Sequence, residues 1–242
     1  MSKLRALRSS WARGAKLVLI LLCWGGAVAE AEPLGLLDRN GSFVSIEPYA
    51  PNIVRVTLSL EKERVSAPAG PGFVASLDTN GWRHEVAASG DKYISPSLSV
   101  EVKAQPAPGP PNQMQRYFAP SLPPVSVTVR KPGGETLVEM SGWELAPHTV
   151  NGEQTFRVGA SFVAPPDEHY YGLGQNQEGI LDHRGRTLDC KHNYDAPAGE
   201  TVCVPFLVTN KGYGILWDNP SSTTVSAGLQ GRTTWQSKVG ER

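Results

Sequence analysis

The residues whose types best suit acid–base chemistry lie between Glu178 and Arg184. Asp182 stands beside His183 and Arg184, with Glu178 four residues ahead. A carboxylate next to an imidazole could move a proton. The same set could equally be a turn whose charges satisfy one another, because charges that lose water need partners. The turn is the expectation. The five histidines, His84, His148, His169, His183 and His192, have no metal-ligand spacing, and no metal or cofactor is expected.

These residues sit in a stretch, Tyr170 to Pro220, that reads as short strands cut by glycines. Gly172, Gly174, Gly179 and Gly185 are too dense for a helix. Val204 to Val208 is an apolar β-rich run, Asn210-Lys211-Gly212 a turn signal, and Tyr213 to Trp217 the returning strand. Upstream, strands are expected at Ser42 to Glu47 and at Asn52 to Leu60, where Val54, Val56, Leu58 and Leu60 should face a core. Further strands are expected at Trp82 to Val86, Ser97 to Val102, Val125 to Arg130, Thr136 to Met140 and Thr155 to Val163. No segment after Ala29 has a capped helical period. The fold expected is all-β, an antiparallel β-sandwich. Ala104 to Pro124 interrupts the pattern: Pro108-Gly109-Pro110-Pro111 blocks both helix and ladder. It reads as a Pro-rich loop within one sandwich rather than a boundary between two domains.

The amino end reads as a signal peptide over residues 1–29. Lys3, Arg5, Arg8, Arg13 and Lys16 form a basic region, Leu17 to Cys23 is apolar, and Ala27-Val28-Ala29 is a small-x-small cleavage site. The apolar run is short for a spanning helix, and the alternative reading is an uncleaved membrane anchor; no membrane role is expected after cleavage. The expected location is periplasmic or secreted. The whole chain has 23 basic and 23 acidic residues, and residues 1–29 hold five of the basic ones and none of the acidic. The remainder is mildly acidic without a basic block, which argues against nucleic acid as partner. Only Cys190 and Cys203 remain after cleavage. They flank the segment from Lys191 to Val202 and are either a disulfide, which export would permit, or two buried thiols.

The ordered set Gly172-Leu173-Gly174, Glu178-Gly179, Arg184-Gly185, Pro205-Phe206, Lys211-Gly212-Tyr213-Gly214 and Asn219 resembles the N-terminal domain of glycoside hydrolase family 31. That family contains α-glucosidases and α-xylosidases, and the Gln175-Asn176-Gln177-Glu178-Gly179 variant is nearer the α-xylosidase side. The resemblance implies a galactose-mutarotase-like sandwich over residues 30–242. It also implies an α-linked glucoside or xyloside as carbohydrate partner. Family members are retaining enzymes with two carboxylates roughly 5–5.5 Å apart. Those carboxylates lie in a (β/α)₈ barrel that follows the sandwich, and such a barrel takes roughly 250 residues. The chain therefore reads as a fragment without catalytic residues, and the barrel is expected downstream. The run from Thr233 to Arg242 resembles the approach to one more strand of the sandwich.

One loop of the family's sandwich leans over the barrel mouth with a Trp-Asn-x-Asp-like segment. The matching positions are His192-Asn193-Tyr194-Asp195, with His192 departing from the usual Trp. Asn193, Tyr194 and Asp195 are the substrate-binding candidates: Asp195 could accept two sugar hydroxyls and Tyr194 could stack on a ring. Asn and Asp also favour plain solvated turns. The alternative function is a stand-alone periplasmic carbohydrate-binding protein. A sugar epimerase is a third reading, but no His and Glu pair can be assigned to it.

Overall fold

The computed structural model describes residues 32–39, 41–70, 73–87, 90–104, 125–176, 178–190 and 202–240. The residues of the expected signal peptide, the Pro-rich segment after Ala104, and Asn193, Tyr194 and Asp195 lie outside them. The described residues belong to one unit, Ala31–Arg242, and form antiparallel strands with a single short helix, α1 (Lys62–Val65). This is the all-β class expected from the alternation.

Three strands, β1 (Gly35–Arg39), β2 (Ser42–Ala50) and β3 (Ile53–Ser59), make one small sheet in that order. Nine make the large sheet. They are β4 (Arg83–Ala87), β5 (Gly90–Ile94), β6 (Ser99–Ala104), β7 (Val125–Arg130), β8 (Thr136–Val150), β9 (Glu153–Val163), β11 (Arg186–Cys190), β14 (Thr223–Leu229) and β15 (Arg232–Gly240). Their spatial order is β11-β14-β15-β9-β8-β7-β6-β5-β4. The second small sheet orders β10 (Tyr170–Gly172), β12 (Phe206–Thr209) and β13 (Gly214–Leu216).

Two apolar clusters lie against the large sheet. The first joins Val44 and Ile46 of β2 to Tyr93, Val100, Val102, Val127 and Met140 on β5 to β8. The second joins Tyr170 and Leu207 of the β10-β12-β13 sheet to Val225, Ala227 and Trp235 on β14 and β15. Each small sheet thus covers one end of the large one, and Phe162 on β9 touches both clusters. The arrangement is consistent with a β-sandwich. Val54, Val56 and Leu58 pack on the first cluster as their alternation predicts. A side chain as fully buried as Leu207 stabilises by about 1.5–3 kcal/mol.

Turn chemistry sets the registers. Asn151 and Gly152 both have positive φ, 52° and 85°, which is the two-residue turn that matches strand twist. It aligns Val150 with Glu153 and zips β8 to β9. β6 and β7 pair with Ala104 opposite Val125, so the strands flanking the Pro-rich segment are neighbours in one sheet.

Four elements differ from expectation. Thr136 to Met140 continues through Gly142 and Pro147 to Val150. β7 pairs β8 only between Thr136 and Glu139, so Pro147, whose ring removes an N–H, lies where no β7 residue needs that donor. β5 and β1 were not expected as strands; Tyr93 of β5 is fully buried. Finally, Thr233 to Gly240, read only as the run before one more strand, is itself strand. It lies within β15, a central strand flanked by β14 and β9.

Candidate functional site

The stretch that carries the glycine motif closes around one buried carboxylate. Glu168 is 1% exposed. The Tyr170 hydroxyl donates to its Oε2 at 2.7 Å and the Tyr213 hydroxyl to its Oε1 at 2.5 Å. The backbone carbonyl of Glu168 accepts from Arg184 Nη1 at 2.6 Å, and the same guanidinium lies 6.0 Å above the Tyr170 ring. Burial first, and the adjoining carboxylate after it, pushes both phenols above their usual range. Both therefore stay protonated and donate at any physiological pH.

Asp182 organises the next layer. It accepts from the N–H of Tyr170 at 3.1 Å, from the N–H of Arg184 at 3.0 Å and from His169 Nδ1 at 2.6 Å. Burial works against its charge, but the bonds from His169, Arg184 and Tyr170 prevail and hold the carboxyl at about 2. His183 is buried and its Nε2–H donates to the Gly172 carbonyl at 3.2 Å. Arg186 pairs with Glu178. Lys211 pairs with Asp167, and Asn210 bonds the N–H of His169 and the carbonyl of Asp167. Glu178, Asp182 and Arg184 are thus each paired with a neighbour, while the buried Nδ1 of His183 has no hydrogen-bond partner among the described residues. These bonds tie Asp182 and Arg184 to Glu168, His169 and Tyr170.

The glycines serve the same joint. Gly172, Leu173 and Gly174 have consecutive positive φ values of 96°, 62° and 88°. A leucine in that region is strained, and here its side chain is 3% exposed in the second cluster. A Cβ on Gly174 would sit 2.7 Å from the Val204 nitrogen, so glycine is what lets the 202–204 segment approach. Gln175 then bridges Val202, its N–H donating to the Val202 carbonyl at 2.8 Å.

Cys190 closes β11 and is bonded to Cys203, the Cα atoms 5.1 Å apart. Asn193, Tyr194 and Asp195 belong to the span between these cysteines, outside the described residues; what the structure places is the two stems. Trp217-Asp218-Asn219, the close of the motif, reaches elsewhere. Trp217 Nε1 donates to Ser237 Oγ at 2.8 Å and Asn219 Nδ2 to the Val239 carbonyl at 3.0 Å, both on β15. Asp218 pairs with Arg55 at 3.3 Å and accepts from the N–H of Gly70 at 3.1 Å.

A shallow trough of about 380 Å³ lies over β8, β9, β15 and β14. Its one carboxylate, Glu144, is saturated. Arg157 donates to Oε1 through Nε at 2.8 Å and Nη2 at 2.5 Å, and Gln236 Nε2 donates to Oε2 at 2.9 Å. One neutralised carboxylate cannot supply the acid and nucleophile of a retaining glycosidase. Among the described residues no group of three or more His, Cys, Asp or Glu could hold a metal ion, and no helix is long and apolar enough to cross a membrane.

Sequence reasoning overlooked Glu168 and the two tyrosines that bind it. Glu168 lies between the strand expected to end at Val163 and the stretch that begins at Tyr170. The available signal was the Asp167-Glu168 pair directly before an apolar strand, where a carboxylate must find donors.

The family described as the glycosyl hydrolase 31 N-terminal galactose mutarotase-like domain matches residues 43–225. An uncharacterized family 31 glucosidase of Pseudescherichia vulneris is 32% identical over 84 residues, covering 35% of this chain and 15% of that protein. An α-xylosidase of Saccharolobus solfataricus is 37% identical over 82 residues, covering 30% of this chain and 10% of that protein. The solved family 31 α-xylosidase of Xanthomonas citri superposes with a TM-score of 0.64 over 81% of this chain and 19% of its own, at 21% identity, a likeness of fold. This chain therefore spans less than a fifth of the length of each of these relatives, and it belongs to the family of glycosyl hydrolase 31 N-terminal galactose mutarotase-like domains.

Proposed function

We propose that this chain is the N-terminal domain of an exported retaining α-glycosidase of the α-xylosidase or α-glucosidase kind. Its work is to brace, and to lend sugar contacts to, a catalytic barrel that carries the two carboxylates. The observation that carries this reading is the family match across residues 43–225, in a chain that corresponds to only 19% of the solved α-xylosidase. Two features support it. The only carboxylate of the trough is neutralised, and the carboxylates of the motif are bound within a structural joint. A disulfide between Cys190 and Cys203 suits an oxidising compartment, in keeping with the basic, apolar and small-residue succession of residues 1–29. Asn193, Tyr194 and Asp195 are the proposed sugar contacts, with the substrate an α-linked glucoside or xyloside.

The test is to express the reading frame to its natural stop and assay aryl α-xyloside and α-glucoside beside the 242-residue chain. Turnover by the longer product alone supports the proposal. Turnover by the 242 residues, abolished by Asp195→Ala, would move the chemistry into the sandwich. A stop at residue 242, with sugar binding and no hydrolysis, would favour the stand-alone binding protein.

A further inference from the structure

Strand β12 carries apolar side chains on both faces, and the structure covers only one. Leu207 points inward and is fully buried. Phe206, its neighbour on β12, faces the other way and is 43% exposed, and Val202 and Val204, just ahead of the strand, are 38% and 49% exposed. Leu216 of β13 lies opposite Phe206 in register and is 47% exposed. The next row on this face is Tyr171, Val208 and Gly214, so neither row carries a charge. A strand that is apolar on both faces is one that ends up covered on both.

A Cβ on Gly214 would stand 2.8 Å from Cε2 and Cζ of Phe206, so the ring lies against the glycine of the next strand. An exposed aromatic within a charge-free patch is the usual anchor of an interface.

We infer that the outward face of β12 and β13, built on Phe206 and Leu216, is the seat on which the catalytic module of the full-length enzyme packs. This rests on the function proposed above. The patch favours a tethered occupant over a second copy. A free homodimer takes about 20–30 residues a side, and these two rows supply only a handful. A module on the same polypeptide arrives at an effective concentration in the millimolar range, so a small anchor suffices. The relatives supply the tethered polypeptide: this chain maps to 19% of the Xanthomonas citri enzyme and 10% of the Saccharolobus one.

Hydroxyl-radical footprinting reads side-chain exposure directly. In the 242-residue chain Phe206 and Leu216 should oxidise readily, with exposed Val86 as the fast reference and buried Leu207 as the slow one. In the full-length product their oxidation should fall to the level of Leu207 while Val86 stays fast. The pair Phe206→Ser and Leu216→Ser, introduced into the full-length product, should split its thermal unfolding into two transitions while near-UV circular dichroism keeps its native form. If the full-length product hydrolyses aryl α-glycosides while Phe206 and Leu216 oxidise as fast as in the short chain, the seat is wrong and the proposed function stands. Protection in the short chain that is lost on dilution would identify a second copy as the occupant and overturn the inference. A reading frame with no catalytic module would remove the proposed function and the seat together.

Discussion

Tyr213→Phe deletes a single hydroxyl at the buried joint, and the structure sets its cost. That hydroxyl donates to Glu168 Oε1 at 2.5 Å, the length of a charge-assisted O–H···O⁻ bond, on a carboxylate 1% exposed. Water cannot replace it without opening the β10-β12 pair that carries Tyr170 and Leu207. Hydrogen bonds to charged groups contribute about 1.5–3 kcal/mol, and the orphaned oxygen keeps its desolvation penalty, so a loss of about 1.5–3 kcal/mol is expected. For a unit of this size, each kcal/mol moves the midpoint by about 2–4 °C, which gives a fall of about 3–12 °C. Urea unfolding with an unchanged slope is the assay. Tyr171→Phe is the control, because the Tyr171 hydroxyl has no hydrogen-bond partner among the described residues, and it should stay within about 0.5 kcal/mol of the parent. A Tyr213→Phe variant as stable as Tyr171→Phe would refute the idea that Glu168 organises the motif.

Acid unfolding should report Asp182. Its folded value of about 2 lies below the ordinary 3.8, so its contribution is complete above pH 3.8 and fades as the pH falls toward 2. Asp182→Asn should flatten the stability profile within that window and leave it unchanged in shape at neutral pH; a profile that keeps its slope between pH 4 and 2 would remove Asp182 as the cause. Peptide mapping without reductant should recover Cys190 and Cys203 as one linked species, and Cys203→Ser should cost about 3 kcal/mol for a loop of this size. Recovery of two free thiols would contradict the bond. Gly174→Ala should destabilise by more than about 1 kcal/mol, because it adds a Cβ at φ 88° against the Val204 nitrogen; a neutral result would mean that the 202–204 segment sits farther away.

Local pattern sufficed for what is local. The strands at Ser42, Asn52, Val125 and Thr155 follow from a two-residue alternation, and that period needs only the chain itself. The all-β class follows from the same source, and the ordered glycine motif was enough to point to the family. The Asn151-Gly152 turn was equally readable and was passed over, although its two residues suffice to set the β8-β9 register.

What the sequence left open depends on partners distant in the chain. Gly142 and Pro147 look like strand breakers, and β8 runs through both because β9 pairs it on one side while β7 stops short on the other. Thr233 to Gly240 became a central strand only because β9, about 75 residues earlier, lies beside it. Glu168 is ordinary in a row of residues and decisive in space. Its donors come from Tyr170 and from Tyr213, the latter brought back by the β12-β13 hairpin, and a buried carboxylate is tolerable only when both arrive. Whether Phe206 and Leu216 face a core or open water was likewise not a property of their apolar run, since alternation assigns the two faces and only the packing shows which one is covered.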